Sequence, residues 1–150
     1  MATILCIEDE RSLREDIAEE LTEAGYKVLQ AANGRKGLEI LLRDHPDLVL
    51  CDISMPVMDG LSLLVELRTN HKSFDLMPFI FLSAMQERKV MLDGLRLGAD
   101  DYLMKPVDYD VLLLKVETAL KRMKRLKFEQ LHRYSYAVSE TMVADDVAWK

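Results

Sequence analysis

Residues 47–60 read DLVLCDISMPVMDG. The first half is an apolar run, Leu48-Val49-Leu50-Cys51, and it ends on an acid, Asp52. A carboxylate at the end of a core strand needs a partner or a route to solvent, because burying an unpaired charge is strongly unfavourable. The second half changes character at once. Asp59 suits a helix N-cap and Gly60 a tight backbone. The stretch therefore reads as a buried strand, a loop that carries an acid at the strand's end, and the start of a helix.

The same pattern recurs on either side. Strand-like runs are TILCIE (3–8), KVLQAA (27–32), DLVLCD (47–52), FIFLSA (79–84) and DYLMK (101–105). Between them lie segments of helical period. One stripe is Leu13, Ile17, Ala18 and Leu21, with Ser12 as candidate N-cap and Gly25 as a stop. Others are Leu38, Leu41 and Leu42; Leu61, Leu64, Val65 and Leu67; and Val90, Leu95 and Leu97. The last helix starts near Asp108 and carries Leu112, Val116, Leu120 and Met123. Five β-α alternations predict a single α/β domain, a doubly wound flavodoxin-like (βα)5 parallel sheet. Near-continuous apolar strands agree, since parallel strands are covered on both faces.

The chain has 150 residues, 49% hydrophobic and 31% charged, which suits one domain with a modest extension. Its 26 acids against 20 bases give a net charge of −6, so no nucleic acid is expected on this segment. The start, MATILCIEDE, lacks a cationic signal-peptide region, and no apolar run is long enough for a bilayer. Cys6 and Cys51 sit in strand-like runs and read as reduced core thiols of a cytoplasmic protein. His45, His71 and His132 are too scattered for a zinc site.

In doubly wound folds ligands bind at the carboxyl ends of the strands. That rule gathers Glu8, Asp9, Asp52, Ser83 and Lys105. Singly, each has an ordinary reading as a cap, a satisfied hydroxyl or a solvated charge. Together they form three carboxylates, a hydroxyl and a compact cation. Carboxylates gathered so closely repel unless a cation neutralises them. An all-oxygen cluster with few protein ligands suits Mg²⁺, which shares phosphate oxygens readily. An aspartate can itself accept a phosphoryl group as an acyl phosphate.

Four motifs, ILCIEDE (4–10), DLVLCDISMPVMDG (47–60), FIFLSA (79–84) and GADDYLMKP (98–106), resemble in order and spacing a response-regulator receiver domain of the CheY-like superfamily. The resemblance spans roughly residues 3–122. It implies strand order 2-1-3-4-5 and Asp52 as the phosphoacceptor. It also implies Mg²⁺ (or Mn²⁺) held by Glu8, Asp9, Asp52 and the Ser54 backbone carbonyl, with Asp9 the more direct protein ligand of the acidic pair. Ser83 matches the switch hydroxyl, Lys105 the phosphate-binding lysine and Tyr102 the aromatic switch, and Lys105–Pro106 would be cis. The implied donor is a sensor histidine kinase or phosphotransfer protein, and the chemistry is self-catalysed transfer and autodephosphorylation rather than turnover. Met85, two residues past Ser83, is expected to slow hydrolysis of the acyl phosphate.

Residues 1–122 form the receiver in this reading, and 123–150 a helical linker or C-terminal extension. KRMKRLKFEQLHR (121–133) is basic and helical in character, and residues 134–150 are less regular. Leu112, Val116, Ala119, Met123 and Leu126 form a heptad-like series that Gln130 and Arg133 break. A homodimer is expected through this helix or through the face of the fourth helix, fifth strand and fifth helix. Trp149, beside the end, raises the expectation that the natural chain continues to an output domain; a stand-alone relay or adaptor is the alternative. Two rival classes fit less well. A haloacid-dehalogenase-type hydrolase would want an acid at position 54, which is Ser54. A flavodoxin-type binder would want a Ser/Thr/Gly-rich loop where this chain has EDERS (8–12).

Overall fold

The computed structural model describes the backbone of residues 1–148 and the side chains of residues 1–135. Five strands alternate with five helices: β1 Thr3–Ile7, α1 Arg11–Glu23, β2 Lys27–Ala31, α2 Gly34–Asp44, β3 Leu48–Asp52, α3 Gly60–Asn70, β4 Phe79–Ser83, α4 Arg88–Arg96, β5 Asp101–Met104 and α5 Tyr109–Ala148. Single 3₁₀ turns, Lys72–Phe74 and Met85–Glu87, precede β4 and α4. All strand pairs are parallel, and the order is β2-β1-β3-β4-β5. The α/β fold and strand order are those expected.

The pleat sorts the apolar runs into two cores. Leu5, Ile7, Val49, Cys51, Phe79 and Phe81 face α2, α3 and α4, against Leu41, Leu63, Leu64, Leu67 and Met91. Their sequence neighbours Ile4, Cys6, Leu48, Leu50, Ile80 and Leu82 face α1 and α5, against Ile17, Leu21, Leu112, Val116 and Leu120. Both faces are covered, so β3 and β4 are buried along their whole length. Cys6 and Cys51 fall on opposite faces and remain free thiols. Burial pushes the Cys6 thiol up to about 12 and Cys51 well above its ordinary value, so both stay protonated. Among the described residues no helix is long and apolar enough to cross a membrane.

Several local expectations are corrected. The cap position of α1 is Glu10, without a side-chain cap bond, and Ser12 lies inside the helix. Leu42, Val65 and Leu97 are exposed. The helices approach the sheet through glycines instead: a Cβ on Gly37 would meet Ile7, and one on Gly94 would meet Phe81. Counting aliphatics misplaces such a stripe, because the residue in closest contact has no side chain. The heptad-like series on α5 is mostly internal core: Leu112, Val116 and Met123 are buried against the sheet, which leaves Leu126 partly exposed. Residues 134–148 continue α5 as regular helix, across residue 122 without a break. Trp149 lies outside the described residues.

Candidate functional site

The strand ladders stop one residue short of the expected ends on β1, β2, β4 and β5, and Glu8, Ala84 and Lys105 follow them as loop residues. Asp52 is the last residue of β3, paired with Leu82 of β4. Ser83 closes β4, opposite Met104. The site lies at this carboxyl edge of the sheet, where the first, third and fifth strands present Glu8, Asp52 and Lys105 to one another.

Three carboxylates meet there. Glu8, Asp9 and Asp52 each offer an oxygen within 4.8 Å of the others. Glu8 is 1% exposed and Asp52 3%, whereas Asp9 reaches solvent. Lys105 closes the cluster, its Nζ 3.1 Å from Asp52 Oδ2 and 3.3 Å from both Glu8 oxygens. Burial, reinforced by the neighbouring Asp52, pushes the Glu8 carboxyl up to about 8 in spite of Lys105. Burial likewise raises Asp52, against the opposing pull of Lys105. Burial alone would lower the Lys105 ammonium; the Asp52 and Glu8 charges together outweigh it and hold it up.

One atom in the cluster has no partner. Asp52 Oδ1 is buried and accepts no hydrogen bond while Glu8 is ionised; a protonated Glu8 carboxyl can donate to Asp52. Buried polar atoms are normally satisfied, and an orphaned carboxylate oxygen is costly. This oxygen sits beside two further carboxylates, a donor set of hard oxygens that fits a small divalent cation. With one lysine against three acids, a divalent cation would bring the cluster's formal charge from negative to neutral.

The loop that follows Asp52 is held by backbone devices. The Gly60 N–H donates to Ile53 O at 2.9 Å, and a Cβ at Gly60 would collide with the Asp52 carbonyl oxygen. Asp59 caps α3 by accepting the Ser62 N–H at 2.7 Å. Between them Val57 adopts φ 71°, and the Met58 N–H returns to Pro56 O at 2.8 Å. That three-residue closure is a strained γ-type turn, and a β-branched residue is unusual at its centre. Met58 O then accepts the Gly34 N–H at 2.9 Å, tying the loop to the start of α2. Arg14 also reaches the site, donating to Glu8 O at 2.7 Å.

Glu8, Asp9, Asp52 and Lys105 thus converge. Ser83 is buried beside them, with its hydroxyl donated to Ala84 O at 3.1 Å. The Ser54 hydroxyl donates to Glu87. Tyr102 stands apart, half-buried on β5 under Lys115, whose Nζ lies 5.3 Å from the ring centroid and 2.9 Å from both Tyr102 O and Asp101 Oδ1. The Lys105–Pro106 bond is cis. Val57, Arg14 and Glu87 carry no signal that spacing alone could reveal.

The description "Response regulator receiver domain" matches residues 4–117. Among curated relatives, the DNA-binding dual master transcriptional regulator RpaA of Synechocystis is 34% identical over 84% of this chain and 52% of its own. Response regulator MprA of Mycobacterium leprae is 37% identical over 81% of this chain and 52% of its own. The chain spans about half the length of these relatives. A solved response regulator receiver domain protein from Clostridium thermocellum superposes with a TM-score of 0.77 at 30% identity, covering 84% of this chain and 99% of the other. With the acid cluster, the strand order and the matched span in agreement, the chain belongs to the response-regulator receiver domain family.

Proposed function

We propose that Asp52 accepts a phosphoryl group from a sensor histidine kinase or phosphotransfer protein, and that the acyl phosphate switches a protein-interaction face. The observation that carries this reading is Asp52 itself: buried, with Oδ2 on Lys105 and Oδ1 unpartnered among acids. An Asp52 oxygen attacks phosphorus in line. The O–P bond forms as the P–N bond of the donor phosphohistidine breaks, and the imidazole nitrogen keeps the electron pair. Lys105 neutralises charge on the group in transit. Glu8, Asp9, Asp52 and the Ser54 carbonyl would hold Mg²⁺ (or Mn²⁺), which supplies further neutralisation at the phosphoryl oxygens. No second acid follows at position 54, so the reading is of a self-phosphorylating acceptor rather than a turnover hydrolase.

The Ser83 hydroxyl then leaves Ala84 O for a phosphoryl oxygen. Tyr102 turns into the vacated space and gives up its place under Lys115. The face built from α4, β5 and α5 shifts with it, as a change of population between two arrangements. Leu92, Leu97, Met104, Val111 and Leu114 are exposed on these three elements, which supports that face as a homodimer or effector surface. RpaA and MprA are named as regulators, so control of an attached or separate transcription output is the favoured reading; this acidic segment itself binds no nucleic acid.

Intact mass after incubation with Mg²⁺ and acetyl phosphate tests the proposal. One added phosphoryl group is expected, absent when Mg²⁺ is chelated and absent from Asp52→Asn. An acid-labile phosphate retained on Asp52→Asn would sink the assignment.

A further inference from the structure

Glu87 ends the single turn Met85–Glu87 that leads from β4 into α4. Its two carboxylate oxygens are committed in different directions. Oε1 accepts the Ala84 N–H at 2.8 Å, one residue past Ser83. Oε2 accepts the Ser54 hydroxyl, two residues past Asp52. One side chain therefore joins the loop after β3 to the turn after β4, across the mouth of the acid site. The phosphotransfer chemistry does not use this bridge.

The bridge and the Ser83 hydroxyl hold the same residue. Ala84 gives its N–H to Glu87, and its carbonyl receives both the Ser83 hydroxyl and, at 3.0 Å, the Glu87 N–H. In this arrangement these bonds support one another. A phosphoryl group on Asp52 opposes all of them. It draws Ser83 off the Ala84 carbonyl, and it places new negative charge in front of Glu87, whose own charge is already felt at Asp52. Like charges brought together in a partly buried site repel.

We propose that Glu87 is a positioning residue that latches the turn before α4 in its unphosphorylated arrangement, through Ser54 and Ala84, and that a phosphoryl group on Asp52 releases it. This rests on the phosphoacceptor reading of Asp52. The start of α4 is then held by two restraints that meet on Ala84, Ser83 and Glu87, and both must let go before the α4, β5 and α5 face can move.

The test is the affinity of the 150-residue chain for beryllofluoride, an acyl-phosphate mimic, in excess Mg²⁺, read by calorimetry beside a thermal unfolding midpoint in EDTA. Glu87→Ala should bind about tenfold more tightly than wild type, within the usual range of coupling between sites, while its unfolding midpoint stays level or falls. Glu87→Gln removes the charge, keeps one oxygen to accept the Ala84 N–H and turns the other position into a donor towards the Ser54 hydroxyl, so it should fall between the two. Ser54→Ala cuts the bridge and keeps the charge, so it too should bind more tightly, by a smaller factor. A merely structural Glu87 would lower the midpoint and leave affinity unchanged or weaker. Unchanged or weaker binding by Glu87→Ala, with normal wild-type binding, overturns the latch alone. No binding by wild type overturns the phosphoacceptor reading and the latch with it.

Discussion

Replacing Asp52 by Asn should stabilise the metal-free protein, although it removes the group on which the proposed function depends. Asp52 Oδ1 is a buried carboxylate oxygen with no hydrogen-bond partner, and the Glu8 carboxyl beside it is held up at about 8. An unsatisfied buried polar group costs about 1–3 kcal/mol, and a charged one more. Asn keeps the shape, leaves an oxygen for Lys105, and presents an amide to Glu8 where a like charge stood. The expected gain is about 1–3 kcal/mol. In a chain of this size that is a rise of roughly 3–10 °C in the unfolding midpoint.

The pH dependence has a definite sign. Glu8 has a folded value of about 8 against an ordinary 4.5, so between these the folded state binds more protons than the unfolded one. Stability from this group is present below pH 4.5 and is lost as pH rises through 8, with a slope of at most about 1.4 kcal/mol per unit. Asp52 is also raised and acts in the same direction. Lys105 is raised from 10.5, so its contribution holds throughout this window and fades only above it. Wild type in EDTA should therefore lose stability from about pH 5 to pH 8, and Asp52→Asn should flatten that decline by leaving Glu8 only Lys105 to face. Adding Mg²⁺ should stabilise wild type and leave Asp52→Asn nearly unmoved. The assay is thermal or urea unfolding at several pH values, with and without Mg²⁺. An Asp52→Asn protein that is less stable than wild type in EDTA at pH 8 would refute the reasoning, since the carboxylate would then already be satisfied within the protein.

Three further outcomes concern the loops around the site. Val57→Asn should stabilise the protein by about 1 kcal/mol in urea unfolding, because Asn accepts the left-handed backbone that Val57 holds at φ 71° under strain; a loss of stability would mean the Val57 side chain makes contacts that outweigh the strain. Gly60→Ala should destabilise by about 1–3 kcal/mol and lower Mg²⁺ affinity in calorimetry, since its Cβ would push on the Asp52 carbonyl and on Phe81. Met85 is 79% exposed on the turn after β4, and Met85→Glu should shorten the life of the aspartyl phosphate by giving attacking water a polar neighbour, as read from timed loss of the phosphoryl mass; an unchanged lifetime removes Met85 from that role.

The fold was legible because parallel strands covered on both faces leave continuous apolar runs, and all five runs became strands. Four residues of the site were legible for a related reason. Glu8, Asp52, Ser83 and Lys105 each close or follow such a run, and a strand end is one of the few places a linear sequence marks in space. What escaped the sequence depends on contacts between loops. Glu87 has its meaning only opposite Ser54, thirty-three residues away, and nothing in AMQER announces that. Val57 looks like any loop aliphatic until its backbone is seen to close on Pro56. Gly37 and Gly94 decide how α2 and α4 seat on the sheet, yet a hydrophobic count scores them as nothing and places Leu42 and Leu97 on a face they do not occupy. The series on α5 failed for the opposite reason. Leu112, Val116 and Met123 repeat at a spacing that serves a partner helix or the chain's own sheet equally well, and only the packing of β1, β3 and β4 against them decides for the sheet. The residues that a strand presents to the site were readable one strand at a time. The residues that restrain the loops were not, because each is defined by a partner that the chain brings near only after folding.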